Sequence, residues 1–347
     1  MNHASPPGGH PSVKSPAPVF VLGSARSGTT WLGNLLCGHP AVAGAEHELH
    51  WGLHESNVFL NQRHWGDLTR PPAFEQFMSA YCDADYFRLV DGDPGFLRDA
   101  HPGDFYDAFF ALMDRFAARQ SARWWVTKLD YLLYYRPAEL ERFVTRVRAR
   151  YGAFVCIAVT RADRLATMAS YIRMEGKRRQ HRTNPVVKVL LLALHAARMT
   201  CHEQGIRALA GRHGGLSLTL EQLKANRRAS CESICRFLNL DYHQSMMTDR
   251  YAPNSSYNQS PDSRGVLAAW HRDLLSRVLF PLYNRLPGVA ALFLKLREIP
   301  KFRACPLYFR LKKRDADPGR LAKELSDEGE VSLAALVAGT TRASGGA

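Results

Sequence analysis

Val19-Phe-Val-Leu-Gly-Ser-Ala-Arg-Ser-Gly-Thr-Thr-Trp-Leu32 is the stretch on which the fold turns. Its apolar run, Val19 to Leu22, stops at Gly23 and reads as a buried strand. Thr29 to Cys37 reads as a helix, closed by Gly38 and followed by Pro40. A loop holding two glycines joins them. Successive backbone N–H groups in such a loop, with the start of the helix, form an anion cradle, and Thr29 and Thr30 add hydroxyl donors. The spacing of Gly23, Gly28 and Thr30 matches the GxxxxGK[ST] phosphate loop, but Thr29 stands where that loop has lysine. The cation is Arg26, inside the loop. A kinase or ATPase needs the lysine on the β- and γ-phosphates and a set of magnesium ligands, so this departure weighs against that chemistry. A kinase-like nucleotide-binding protein acting on a small molecule stays as the alternative.

Outward from this stretch, short apolar strands alternate with helices. Trp124 to Thr127 reads as a strand, 137–150 as a basic helix, and Ala153 to Thr160 (AFVCIAVT) as a strand with no polar alternation. Continuous apolar strands are buried on both faces, as in parallel sheets flanked by helices. Asp163 to Glu175 reads as helix, Leu216 to Leu220 as strand and Ala229 to Leu238 as an amphipathic helix. The alternation predicts an open α/β sheet. Residues 1–17 are rich in Pro, Gly and Ser and read as a disordered tail. A domain over 18–285 follows. Within it, 55–120 is an irregular insert with helical pieces, and Phe105, Phe109, Phe110, Met113 and Phe116 share one helical face as core. A basic amphipathic segment spans 286–314 and a flexible tail 315–347.

The 347 residues are 46% hydrophobic and 22% charged, which excludes a disordered or fibrous chain. No apolar run approaches the length of a membrane-spanning helix; the longest, Val186 to Met199, is cut by Lys188 and His195. The net charge of +14 favours anionic partners. Aromatic residues do not interleave with the basic ones as in a nucleic-acid binder, so no nucleic-acid partner is expected. The seven cysteines are odd in number and contain no CxxC pair, which suits a reduced compartment, and the N-terminus has no apolar signal region. Both readings predict a cytoplasmic protein. The 286–314 stretch offers peripheral contact with an anionic membrane face, or a packed helix with a solvated basic face.

A second phosphate-binding pattern lies downstream. The strand ending at Thr160 runs into Arg161, and Ser170 follows nine residues later on the next helix. An arginine at the C-terminal end of a parallel strand points into the crevice where such sheets bind ligands. One arginine and one hydroxyl there suit a small dianion.

Together these motifs resemble those of the sulfotransferases. GSARSGTTWL (23–32) is similar to their 5′-phosphosulfate loop, and Arg161-x8-Ser170 to their 3′-phosphate motif. The resemblance implies a three-layer P-loop-like α/β fold with a central parallel sheet flanked by helices. It implies 3′-phosphoadenosine-5′-phosphosulfate (PAPS) as the sulfuryl donor and no metal. Arg26, Ser27, Gly28, Thr29, Thr30 and Trp31 then surround the 5′-phosphate, and Arg161 and Ser170 the 3′-phosphate. Trp124-Trp-Val-Thr-Lys128 resembles the family's Trp-x-x-Lys segment, which makes Lys128 a partner of Arg26 in stabilising charge on the leaving oxygen. Asn254-Ser-Ser-Tyr and Ser263-Arg264-Gly265 resemble the loop that closes over the donor, adding Arg264 and Gly265 to its site. Leu218-Thr-Leu220-Glu resembles the family's "YEDL" region, with Leu220 in place of the tyrosine.

The acceptor side is less defined. An attacking hydroxyl needs a proton acceptor within hydrogen-bond reach. Glu46-His47-Glu48-Leu49-His50-Trp51 follows the first helix, at the end of the second sheet strand, and Glu46, His47, Glu48 and His50 all have the chemistry. The resemblance selects Glu48 as general base, with His47 the rival. The histidines of His47-Glu-Leu-His50 are three apart, whereas the zinc-protease motif needs four, so no metal site is read here. The resemblance implies as acceptor a hydroxyl of a carbohydrate, a lipid-linked compound or a natural product. The 55–120 insert and the Gly176–Arg179 turn are expected to shape its pocket.

Overall fold

The computed structural model describes residues 16–24, 26–48, 51–129, 137–170, 185–251, 267 and 269–292. Arg264, Gly265, the Gly176–Arg179 turn, residues 1–15 and everything after 292 lie outside the described residues.

The apolar run that opens the described chain is strand β1 (Ala17–Gly23), and it enters helix α1 (Thr29–Cys37) through the glycine loop. Next come β2 (Val42–Gly44), β3 (Glu46–His47) and β4 (Gly52–Leu53). The helices of the insert are α2 (Val58–Trp65), α3 (Pro71–Tyr81), α4 (Asp85–Leu89), α5 (Pro94–Ala100) and α6 (Phe105–Arg119). Then follow β5 (Trp124–Lys128), α7 (Pro137–Tyr151), β6 (Cys156–Thr160) and α8 (164–170). The long α9 (Pro185–Arg212) leads to β7 (Leu216–Thr219), α10 (Leu220–Ala225) and α11 (Arg227–Phe237). A last helical run joins α12 (Ala269–Asp273), a π-helical stretch (Leu274–Leu279) and α13 (Phe280–Arg285).

Five strands form one parallel sheet in the order β2-β5-β1-β6-β7. The alternation along β1 shows why the inner strands do not read as half polar. Phe20 and Leu22 face one layer, with Ala43, Trp125, Cys156 and Ala158 beside them. Val19 and Val21 face the other, with Val42, Trp124, Val126, Ile157 and Val159. Helices cover both sides, so β1, β5 and β6 bury both sets of side chains while the edge strand β7 is only partly buried, and the fold is a three-layer α/β sandwich.

The first layer is largely aromatic. Phe105, Phe109, Phe110, Met113 and Phe116 of α6 are buried as their spacing predicts, with Phe109 5.7 Å from Trp125 between ring centroids. The Trp125 indole donates to Asp114 at 2.9 Å, and Arg150 and Tyr151 of α7 donate to the same carboxylate. Burial still pushes the Asp114 pKa above the usual carboxylate value.

Strand β1 begins at Ala17, inside the expected tail, and β6 at Cys156, later than the expected Ala153; three further differences bear on the site. The strand expected to end at Leu220 ends at Thr219, because Thr219 is the N-cap of α10. Its hydroxyl accepts from the Gln222 N–H at 3.1 Å, and the Gln222 side chain returns the bond to Thr219 N–H at 2.8 Å. The Glu46–His47 segment does not extend the main sheet; β2 stops at Gly44, and β3 pairs antiparallel with β4 in a separate hairpin. Finally, Val186 to Met199 belongs to the 28-residue helix α9, which the sequence did not announce because its buried face carries His195, Arg198, His202 and Glu203.

Candidate active site

The C-terminal ends of β1, β5 and β6 lie side by side, with Val21 in register with Lys128 and Gly23 with Val159. The loop after β1, Lys128 at the end of β5 and Arg161 just past β6 therefore share one edge of the sheet, where open parallel sheets bind ligands.

The loop is shaped by backbone. Arg26 and Gly28 both hold left-handed φ values, 71° and 101°, on either side of Ser27. Gly28 is the N-cap of α1 and supplies no side-chain cap, so the first N–H groups of α1 have no side-chain acceptor there. Side chains would not fit. A Cβ on Gly23 would meet Thr29 Cγ2 at 2.3 Å and Ser27 Oγ at 2.6 Å, and one on Gly28 would meet Leu220 Cδ1 at 2.7 Å. Ser27 is fully buried, and its hydroxyl has no hydrogen-bond partner among the described residues.

The side chains converge on this loop from three directions. The Arg26 Nε donates to Ser170 Oγ on α8 at 3.1 Å. Lys128 is almost wholly buried; its Nζ donates to Thr30 Oγ1 at 3.2 Å and lies 3.8 Å from Glu55 Oε1. Arg161 Nε stands 4.0 Å from Glu221 Oε1 and is a buried donor without a hydrogen-bond partner among the described residues. Glu221 also accepts the Ala162 N–H at 3.0 Å. Trp31 is half-buried, its ring 5.8 Å from the Arg227 guanidinium. Arg26 and Ser170 thus meet directly, while Arg161 faces Glu221.

The hairpin places the acid–base residues apart from one another. Glu48 is exposed in the turn after β3, and His47 is half-buried opposite Gly52. Glu46 is half-buried, with one carboxylate oxygen shut off from solvent. Its carboxylate accepts from Arg250 at 2.8 Å, and Arg250 also donates to the Cys37 carbonyl at 2.8 Å, tying the hairpin to the end of α1. Burial raises the Glu46 pKa, although Arg250 and the Tyr251 hydroxyl oppose the shift. Burial and the neighbouring Glu46 carboxylate push the Tyr251 phenol up to about 12. Glu55, the carboxylate beside Lys128, was not read from the sequence; no spacing marks it, because only the β4 hairpin brings it to the loop.

This arrangement of an anion-shaped loop, a buried lysine and a strand-end arginine agrees with what sequence comparison finds. The profile of the sulfotransferase family matches residues 18–244. The chain belongs to the sulfotransferase family. Similar solved structures include the sulfotransferase domain of the Synechococcus PCC 7002 olefin synthase, at 20% identity over 79% of this chain and 92% of that one, with a TM-score of 0.44. The sulfotransferase domain from the curacin biosynthetic pathway is 17% identical over 68% of this chain and 78% of that one, also with a TM-score of 0.44. A sulfotransferase of Mycobacterium tuberculosis H37Rv is 15% identical over 77% of this chain and 78% of that one, with a TM-score of 0.36. No curated protein matches the chain. Among the described residues no helix is long and apolar enough to cross a membrane, and no three His, Cys, Asp or Glu side chains are grouped to hold a metal ion.

Proposed function

We propose that this sulfotransferase takes its sulfuryl group from PAPS and passes it, in line, to a hydroxyl of an acceptor. The donor set suits such a nucleotide. Ser27 Oγ and Arg161 Nε are buried donors without hydrogen-bond partners among the described residues, and the two glycines let Ser27, Thr29 and Leu220 pack against the loop backbone where a Cβ would stand. On this reading the N–H groups around Ser27–Thr30 hold the 5′-phosphate, Arg161 and Ser170 receive the 3′-phosphate, and Trp31 borders the nucleotide. The observation that carries the reading is the Arg26–Ser170 hydrogen bond, which joins the two phosphate motifs across the crevice.

The transfer breaks the bond from sulfur to the phosphate oxygen and forms one to the acceptor oxygen. Charge grows on the departing oxygen, where Lys128 and Arg26 act against it. Lys128 is held for this by Thr30 on one side and Glu55 on the other. The acceptor proton goes to a carboxylate, which we assign to Glu48. Glu55 is the rival, because it already stands beside the lysine at the loop.

Titration of the protein with 3′-phosphoadenosine-5′-phosphate (PAP), ADP and ATP in the presence of a chelator tests the donor assignment. PAP is expected to bind more tightly than either, through its 3′-phosphate. Equal affinity for ATP and PAP would return the site to kinase-like chemistry.

A further inference from the structure

Thr160 and Thr219 are register partners at the ends of the neighbouring strands β6 and β7. The chain leaves both strands at one level, into Arg161 on one side and into Leu220 and Glu221 on the other. The start of α10 is held there. Thr219 caps it, and Leu220 lies so close to Gly28 that an added Cβ would meet its Cδ1 at 2.7 Å. A carboxylate is thereby fixed beside the strand-end arginine, an unexpected charge next to donors that suit a dianion.

The two carboxylate oxygens are used differently. Oε2 accepts the Ala162 N–H at 3.0 Å, and Oε1 stands 4.0 Å from Arg161 Nε. A backbone N–H and a guanidinium just past a parallel strand are the kind of donors a phosphate takes. Glu221 meets them with the same chemistry and less charge. A carboxylate in the first turn of a helix is favourable to that helix in itself, yet the oxygens of this one go to the exit of the neighbouring strand. Its hold on Arg161 is weak. A separation of 4.0 Å is beyond a hydrogen bond, and Arg161 Nε has no hydrogen-bond partner among the described residues. The two side chains are 22% and 44% exposed, and an ion pair so placed is worth little. An acceptor of higher charge would satisfy Arg161 better.

We infer that Glu221 is a selectivity-determining residue of the donor site, a built-in competitor that takes up donors the 3′-phosphate needs and lowers affinity for 3′-phosphorylated nucleotides. This rests on the donor reading above, which gives the 3′-phosphate to Arg161. A nucleotide with that phosphate has to displace the carboxylate and then sit beside a like charge, which costs affinity and eases release. ADP, without a 3′-phosphate, does not meet it.

Calorimetric titration of the full chain with PAP and with ADP, as wild type and as Glu221→Gln, tests it. Glutamine keeps an oxygen for the Ala162 N–H and removes only the charge. PAP is expected to bind about fivefold more tightly to Glu221→Gln, the upper worth of an exposed ion pair expressed as an equilibrium constant. ADP affinity and the melting temperature should hold. A residue that only supports the fold would not raise affinity for one nucleotide of the two. Wild type that binds PAP no better than ADP would remove the donor reading and this inference with it. Wild type that prefers PAP, with the preference unmoved by Glu221→Gln, would overturn the inference alone. So would weaker PAP binding, which would make Glu221 a support that holds Arg161 in place, and so would equal tightening of PAP and ADP, which would make its charge a general one.

Discussion

Around the loop after β1, contacts are made by backbone and by the smallest side chains: Gly23, Ser27, Gly28 and Thr29 lie so close that a single added carbon collides. Across the sheet, the helices α2 to α6 are held by stacked and edge-on rings, with Phe77, Phe105, Phe109 and Phe110 fully buried among their neighbours. The first region is specified by what it leaves out and the second by what it fills. A phosphate needs N–H groups at fixed positions, and few sequences deliver them. A packed aromatic layer accepts many sequences of similar volume.

That contrast predicts which changes hurt which property. The largest kinetic effect belongs to the hairpin between the two regions. Glu48→Gln should lower kcat about 10²–10⁴-fold while PAP affinity stays nearly unchanged, the signature of a lost general base. Glu46→Gln, His47→Ala and Glu55→Gln are the comparisons. If Glu55→Gln carries the deep loss, the base is the carboxylate beside Lys128, and if Glu46→Gln or His47→Ala carries it, the base is that residue. The largest stability effect belongs to the aromatic layer. Phe109→Ala should cost about 3–5 kcal/mol in denaturant unfolding, yet leave the PAP dissociation constant of the still-folded fraction unchanged. A parallel loss of donor affinity would mean the two regions are mechanically one.

Arg161→Ala is expected to act on the proposed donor side alone. Calorimetry should show PAP binding weakened by about 1.5–3 kcal/mol, with no comparable change for ADP, which lacks the 3′-phosphate. Loss of ADP affinity to the same degree would break the assignment. Least in size is a pH effect. Native Glu46 holds its proton more tightly than the unfolded chain does. Its ionisation therefore lowers stability as pH rises from the ordinary carboxylate range through its raised native value, and has no further effect above that. Glu46→Gln should flatten the melting temperature against pH over that window; an unchanged slope would place the titrating group elsewhere, Asp114 being the next candidate.

The same contrast decides what was legible. The strand, loop and helix from Ala17 to Cys37 were read almost to the residue, because an apolar run that stops at the first of two spaced glycines fits few local structures. The strand ending at Thr160 was equally plain, since it is buried on both faces. The 28-residue α9 was not, because its inward side carries ionisable groups, Arg164 reaching Glu203 at 2.5 Å, and the apolar stripe that marks a helix is interrupted. Glu55 escaped for a different reason. Its partner Lys128 lies far away in sequence, and only the turn of the hairpin onto the loop makes them neighbours. Leu220 is a third case. Its place was noted as lacking an aromatic ring, but its packing onto Gly28 is a tertiary fact that no local pattern contains.

Because β1 sits in the middle of the sheet, it has no partner when it is made. Ala17 pairs with Trp124 and Phe20 with Cys156, so both neighbouring strands are synthesised long after it. Closing such distant contacts is entropically slow, and a parallel sheet offers no hairpin to start from. On the ribosome, the apolar segment Val19–Leu22 must therefore wait with both faces bare until β5 and β6 have emerged. A nascent chain halted before Thr160 lacks the strand that carries Arg161 to the loop, and its first strand is an open edge for chaperones or for aggregation.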